Sequence, residues 1–326
     1  MKMKIIFMGT PDFAVPVLEA LLRDGQQVSL VVTQPDRARG RGREVLKTPV
    51  KQCAEKWNIP VYQPERVKRP EAVQRLREEH ADMIVVAAFG QILSQEILDL
   101  PRYGCINVHA SLLPKYRGAA PIQWAVINGE KESGVTIMQM DAGLDTGDIL
   151  AQEKVTLAPK ETGESLYEKL SALGGELLIR TLPAIADGTA VHTVQREEES
   201  CYAGMLKREM GNLVWDGSAA KLERLIRGLN SWPGAYTFLR GKSLKLWDAD
   251  VIPALPETVL QNGQQGAAPG TILGSDKNHI YVLTGDGILQ LNEVQLEGHR
   301  RMAVHDFLLG ERVCPGEQFT RERENR

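Results

Sequence analysis

Asn107 and His109 stand two residues apart in the run Cys105-Ile106-Asn107-Val108-His109-Ala110-Ser111-Leu112-Leu113-Pro114. On an extended segment that spacing sends both side chains to one face. An amide donor and a proton-trading imidazole then point the same way, just ahead of the restrained stretch Lys115-Tyr116-Arg117-Gly118-Ala119-Ala120-Pro121. Such a pair is suited to receive a carbonyl. Asp145, within Asp141-Ala142-Gly143-Leu144-Asp145-Thr146-Gly147-Asp148, is the carboxylate that can join it. Taken singly, each residue has a plain alternative: a satisfied structural histidine, a turn-forming asparagine, a loop-capping aspartate. Taken jointly they change meaning. A carboxylate that reaches an imidazole favours its charged form and fixes its orientation, and an amide beside them adds a donor for developing negative charge. A site of that kind needs neither metal nor covalent nucleophile.

Competing chemistries lack their residues. The first turn offers Gly9 without G-x-G-x-x-G, and there is no P-loop. Ser111 lacks the G-x-S-x-G elbow of serine hydrolases. The six histidines show no zinc spacing, and Cys53, Cys105, Cys201 and Cys314 lie far apart with no CxxC pair. That pattern fits reduced thiols rather than a disulfide framework or a metal site. With 43% hydrophobic and 25% charged residues and a net charge of -3, the chain has an ordinary globular composition and no global attraction for polyanions. No apolar run is long enough to span a membrane, and the chain enters a strand by Lys4, leaving no room for a presequence. The expectation is a cytoplasmic protein.

At 326 residues two domains are expected. In the first, apolar strands (Ile5–Met8, Val28–Thr33, Ile59–Tyr62, Met83–Ala88) alternate with helical patterns (Phe13–Leu22, Val50–Trp57, Pro70–His80). This predicts an α/β fold with a parallel, doubly wound sheet, whose ligands bind beyond the carboxyl ends of the strands. Phe89-Gly90 and Asn107–Ser111 fall at such ends. Strands at Val135–Met140 and Ile149–Leu157 and a helix over Ser165–Leu182 close the domain. The polar run Gln195–Ser200 reads as a linker. Beyond a helix at Ala219–Leu229, short strand patterns at Ala235–Leu239, Leu244–Val251, Gly270–Leu273, Ile280–Thr284 and Gly287–Val294 suggest a small barrel. The resulting division is residues 1–189, a linker 190–207, a barrel 208–316 and a charged tail 317–326.

Gln34-Pro35-Asp36-Arg37-Ala38-Arg39-Gly40-Arg41-Gly42-Arg43 places four arginines among glycines in a loop leaving the carboxyl edge of the sheet. A solvated surface loop is one reading. A phosphate-contacting arm is the other, since arginine pairs with phosphate oxygens and glycine lets backbone approach closely. Its place beside the Asn107/His109 site favours the second.

Asn107-Val108-His109-Ala110-Ser111-Leu112-Leu113-Pro114 with Arg117-Gly118 resembles the folate-dependent formyltransferase family, and Asp145 falls where the catalytic aspartate of that family is expected. Phe7-Met8-Gly9-Thr10-Pro11-Asp12-Phe13, Thr33-Gln34-Pro35-Asp36-Arg37, Gly118-Ala119-Ala120-Pro121-Ile122-Gln123, Gly134-Val135-Thr136-Ile137-Met138-Gln139-Met140 and Asn230-Ser231-Trp232-Pro233-Gly234-Ala235 extend the likeness over nearly the whole chain. Only the tail Thr320–Arg326 has no counterpart. The resemblance implies a Rossmann-like catalytic domain followed by an OB-like barrel that helps hold tRNA. It further implies transfer of the formyl group of 10-formyltetrahydrofolate to the α-amino group of methionine on initiator methionyl-tRNA, by direct amine attack and without a metal, for translation initiation. Asn107, His109 and Asp145 are then the catalytic residues. The pterin is expected around Val86–Gln91 and Met138–Asp145, contacted by Phe89, Gly90, Ser111, Leu112, Leu113, Pro114 and Asp141. Arg37, Arg39, Arg41 and Arg43 are expected on the acceptor stem, with Arg41 as main reader by match to a Gly-Arg-Gly element of the family. A monomer is expected. A formyltransferase for a small acceptor and a formyltetrahydrofolate hydrolase would use the same trio. A tRNA-binding module without catalysis would leave the Asn107/His109 pair without purpose.

Overall fold

The computed structural model describes residues 2–39, 44–259 and 266–323. Its elements follow in chain order: β1 (Lys4–Gly9), α1 (Ala14–Arg23), β2 (Gln27–Val32), β3 (Arg37–Arg39), β4 (Glu44–Leu46), α2 (Pro49–Lys56), β5 (Val61–Tyr62), α3 (Pro70–Arg77), β6 (Met83–Ala87), α4 (Gln95–Leu98), β7 (Cys105–His109), β8 (Arg117–Gly118), α5 (Pro121–Asn128), β9 (Glu132–Gln139), β10 (Ile149–Thr156), α6 (Gly163–Asp187) and β11 (Tyr202–Ala203). Then come α7 (Ala219–Gly228), β12 (Ala235–Leu239), β13 (Lys242–Ile252), β14 (Ile272–Ser275), β15 (Ile280–Leu283), β16 (Ile288–Leu296), β17 (Met302–Ala303) and α8 (Val304–Gly310). The chain divides into two compact units, Met1–Pro121 with Glu132–Thr156 and Leu166–Gly204, and Ile122–Lys131 with Leu157–Ser165 and Met205–Arg326.

The first unit is built on a seven-stranded sheet in the order β10-β9-β7-β6-β1-β2-β5. Strands β7, β6, β1, β2 and β5 pair in parallel, as the alternation of strands and helices requires. β6 and β7 are buried along their whole length, as expected where both faces are covered. The two strands at one end of the sheet depart from the expected parallel order: β9 runs antiparallel to β7, and β10, at the edge, antiparallel to β9. The residues joining β9 to β10 hold no crossover helix, so the second strand has to turn back along the first. That reversal starts the Asp141–Asp148 loop at the foot of β7, where Met140 donates its N–H to Cys105 O at 2.8 Å. The loop then climbs back toward Asn107.

The arginine loop expected from Gln34 begins with a paired strand. β3 pairs antiparallel with β4, Arg37 opposite Leu46 and Arg39 opposite Glu44. Its root is pinned, because Asp36 takes bonds from Lys51 Nζ at 2.5 Å and Gln63 Nε2 at 2.7 Å. α2 starts where Thr48 caps Lys51 N–H and Pro49 presets the first turn. The run Gln195–Ser200, expected as a linker, is seated in the first unit. Gln195 is buried, Thr193 and Ile149 exchange two backbone bonds of 2.9 Å, and β11 pairs in parallel with β8.

The second unit carries an antiparallel sheet in the order β12-β13-β16-β15-β14, with β17 beside β16. Its core includes Leu222 and Ile226 of α7, Leu244 and Leu246 of β13, Leu289 and Leu291 of β16, and Phe307 of α8. α5 packs here too, with Arg224 Nε donating to Ile127 O at 3.1 Å. The start of the expected charged tail is structural. Phe238 and Thr320 exchange two bonds of 3.0 Å, and Phe319 N–H donates to Gly270 O at 2.9 Å. Residues 318–320 thereby bridge β12 to the start of β14. Phe319 is buried and stacks on Trp215, ring centroids 5.4 Å apart. A single inward aromatic in a short polar run gives no periodic signal, so composition alone read as a tail. Among the described residues no helix is long and apolar enough to cross a membrane.

Candidate active site

Two polar side chains interrupt a central strand that is otherwise apolar. Asn107 is 8% exposed and His109 6%, so each needs a partner to offset its lost hydration. The Nε2 of His109 lies 2.9 Å from Tyr116 O. A carbonyl only accepts, so Nε2 carries a proton. The other ring nitrogen, Nδ1, faces Asp145 Oδ1 at 3.8 Å, inside ion-pair range and beyond hydrogen-bond length. Asn107 Nδ2 donates toward the same oxygen at 3.4 Å. The second oxygen of Asp145, Oδ2, accepts the N–H of Gly118 at 2.9 Å. Asn107, His109 and Asp145 thus meet at one carboxylate oxygen.

Backbone in unusual conformations delivers these groups. Asp145 has φ 54 and Tyr116 φ 61, both in the left-handed region that an aspartate tolerates and a tyrosine rarely does. Gly118, at φ 111, has no room for a side chain: a Cβ there would sit 2.5 Å from the Tyr202 ring and 2.8 Å from Ala203 O. Around the site, Arg117 Nε donates to Gln195 Oε1 at 3.0 Å and its Nη1 to Glu197 at 2.6 Å. The hydrogen bond from Arg117 holds the Glu197 carboxyl below the usual range. At the foot of the same strand, burial pushes the Cys105 thiol up to about 12, which makes it a packing group rather than a nucleophile.

The other expected site residues are spread more widely. Ser111 is buried and donates its hydroxyl to Lys115 O at 2.6 Å, while its carbonyl accepts from Thr136 Oγ1 at 2.6 Å. Thr136 also takes the Leu113 N–H at 3.1 Å, and Gln152 donates to Leu113 O at 2.8 Å. The Ser111–Pro114 loop is therefore knotted to β9 through backbone groups, with Leu113 buried and Leu112 and Pro114 half-buried. Asp141 is exposed, and its carboxylate caps its own loop by accepting from Thr146 Oγ1 at 2.7 Å and Gly143 N–H at 3.0 Å. Phe89 and Gly90 line a cavity of about 330 Å³ at the carboxyl ends of β1, β2 and β6, with Thr10, Gln34 and Arg37. The trio does not line it. A second cavity of about 510 Å³, at the opposite end of β7 beside Tyr103 and Gly104, takes in Gln139 of the expected pterin segments but none of the residues expected to contact the pterin or to catalyse. Arg37 is exposed on β3, and Arg39 is the last residue of that strand; Arg41 and Arg43 lie outside the described residues.

Residues 1–182 match the family model described as formyl transferase, and residues 205–312 match the formyl transferase C-terminal domain. The chain belongs to the formyl transferase family. A methionyl-tRNA formyltransferase of Agathobacter rectalis is 54% identical over 98% of this chain and 100% of its own length. Another, of Lachnospira eligens, is 51% identical over 96% and 98%. The fold is shared at low identity with WlaRD, described as a sugar 3N-formyl transferase, at TM-score 0.64 and 18% identity over 92% of this chain and 100% of that one. It is shared likewise with HypX of Aquifex aeolicus in complex with tetrahydrofolic acid, at TM-score 0.62 and 18% identity; 97% of this chain is covered and 51% of that chain.

Several groups that shape the site were not singled out from the sequence. Tyr116 and Gly118 act through a carbonyl and an N–H, which side-chain type does not display. Thr136 reads as an ordinary strand residue. Gln195 reaches Asp145 across 50 residues of sequence, so no local spacing announces it.

Proposed function

We propose that this chain transfers the formyl group of 10-formyltetrahydrofolate to the α-amino group of methionine on initiator methionyl-tRNA, as a methionyl-tRNA formyltransferase. The observation that carries this reading is the match at 54% identity over 98% of the chain, second unit included, to a protein of that activity. The chemistry is supported by the site. Asn107 Nδ2 and His109 Nδ1 are both aimed at a negatively charged oxygen, so the pair is already arranged to serve one. When the neutral amine adds to the formyl carbon, Asn107 and His109 donate to the oxyanion that develops. Nε2 of His109 keeps its proton on Tyr116 O, so Nδ1 is the nitrogen that gives and takes. Asp145 orients the imidazole and helps a water carry the proton from the amine to the departing nitrogen as the carbon–N10 bond breaks. In this reading residues 1–189 perform the chemistry and the second domain helps hold the tRNA. The pterin is received near Phe89, Gly90 and Ser111–Pro114, and Arg37, Arg39, Arg41 and Arg43 meet acceptor-stem phosphates.

The test is incubation with 10-formyltetrahydrofolate and methionyl-tRNA, initiator against elongator, followed by assay of formyl-methionine. Formylation of the initiator in preference to the elongator is expected. Formate release that does not depend on an acceptor, or transfer to an amino sugar or a glycinamide nucleotide with none to the tRNA, overturns the reading.

A further inference from the structure

Asp145 lies on the Asp141–Asp148 loop and Gly118 on β8, and one side chain outside both fastens them. Gln195 is 9% exposed and spends its whole carboxamide: Nε2 donates to Asp145 O at 2.9 Å and to Gly147 O at 2.7 Å, while Oε1 accepts from Arg117 Nε at 3.0 Å. Carbonyls only accept and a guanidinium only donates, so these neighbours dictate which way the amide faces. Buried Arg117 is held in turn by Glu197. Backbone bonds complete the fastening. Ile149 and Thr193 exchange two of 2.9 Å, and the N–H groups of Arg117 and Ala119 donate to Cys201 O and Ala203 O, each at 2.9 Å. Residues 193–203 form a strap across the Asp141–Asp148 loop and β8.

The strap matters because it fixes the backbone that carries the Asp145 carboxylate. Asp145 sits in the left-handed region, which an aspartate tolerates but does not have to adopt. Without Gln195 the carbonyls of Asp145 and Gly147 lose their donor, and the carboxylate, 3.8 Å from His109, is left to the Gly118 N–H and a 3.4 Å contact with Asn107 for its placement. We propose that Gln195 is a positioning residue for the transfer reaction, its carboxamide setting the place of Asp145 against His109 and Asn107. The inference rests on the function proposed above.

Two variants test it. Gln195→Met keeps the volume and removes all three bonds; Gln195→Glu keeps an acceptor for Arg117 and loses both donors. Steady-state formylation is measured for the parent, for both variants and for Gln195→Glu in an Asp145→Ala background, with circular dichroism and thermal melting to establish folding. kcat should fall about 10–100-fold in both single variants, because a misplacement of about 1 Å is that costly. KM for tRNA and for the folate should stay within about twofold, and Gln195→Glu should cost almost nothing further once Asp145 is alanine. A merely structural glutamine would lower the melting temperature and leave kcat of the folded enzyme alone. A folded variant with kcat within about twofold of the parent overturns the proposal, and so does an equal loss in the Asp145→Ala background. Should Gln195→Met fail to fold, Gln195→Glu decides. An inactive parent would instead overturn the functional reading, and this inference with it.

Discussion

His109 is the residue on which the proposed chemistry turns, and the sequence already shows half of its setting. An i, i+2 pair on a strand shares a face whatever the fold, so Asn107 beside His109 was legible. Asp145 was legible only through the family's motif, since it returns from 38 residues beyond Asn107. The Tyr116 carbonyl and the Gly118 N–H were not legible, because every residue has such groups and only the fold aims them. His109→Ala is expected to lower turnover by about 10²–10³, the usual cost of an oxyanion donor, while melting and circular dichroism stay near those of the parent. Asp145→Asn should be severe as well, and the double variant far less than additive, if the carboxylate acts through the imidazole as proposed. Turnover near that of the parent in folded His109→Ala, or additive losses, would set that assignment aside. Gly118→Ala tests the backbone donor. A Cβ there collides with Ala203 O and the Tyr202 ring, so the N–H must leave Asp145, and kcat should drop about 10-fold or more. Gly188→Ala, at φ 76 but with nothing in reach of a Cβ, should cost only about 1–2 kcal/mol of stability and no turnover.

Elements were legible where periodicity had length to speak. β1, β2, β6 and the helices between them are runs long enough to show a buried strand or an apolar stripe, and each lies within a few residues of its expected bounds. What periodicity does not carry is direction. β9 and β10 read as strands equally well in either sense, and only the lack of a crossover between them makes them antiparallel. Their reversal is what returns Asp145 to β7, so the site depends on the one topological feature that the pattern left open. The tail was illegible for the opposite reason: Gln318-Phe319-Thr320 is too short to show alternation, yet it bridges β12 to the start of β14. Phe319→Ala should therefore act as a core truncation, lowering stability by about 3–5 kcal/mol, seen as a lower urea midpoint at unchanged slope. A midpoint equal to that of the parent would mean that the segment only lies against the sheet.

Charge is read on the whole molecule. Several carboxyls sit below their usual range although burial alone raises them: Asp36 through hydrogen bonds from Lys51 and Gln63, Glu79 through Arg75, Asp250 through Lys160, and Asp276 through Asn278 and Tyr281. A depressed folded-state pKa adds stability above the unfolded value and loses it as the pH falls through the folded one. Urea midpoints should thus hold from neutrality down to the ordinary carboxylate range near pH 4 and fall below it. Asp276→Asn should cost most at neutral pH, its difference from the parent shrinking in acid. The same charge census governs the nucleic acid. A net charge of -3 repels a polyanion at long range, so attraction has to come from a local patch, and the arginine run from Arg37 to Arg43 is the candidate that the sequence offers. Each phosphate that an arginine neutralises releases counterions and adds about 0.7–0.9 to the slope of log affinity against log salt. KM for tRNA should accordingly rise steeply with salt while KM for the folate stays nearly flat. Arg41→Leu should raise KM for tRNA and shallow that slope by about one phosphate contact, with kcat at saturating tRNA retained. If tRNA kinetics and salt slope both match those of the parent, Arg41 contacts no phosphate, and the affinity must be sought on the second unit.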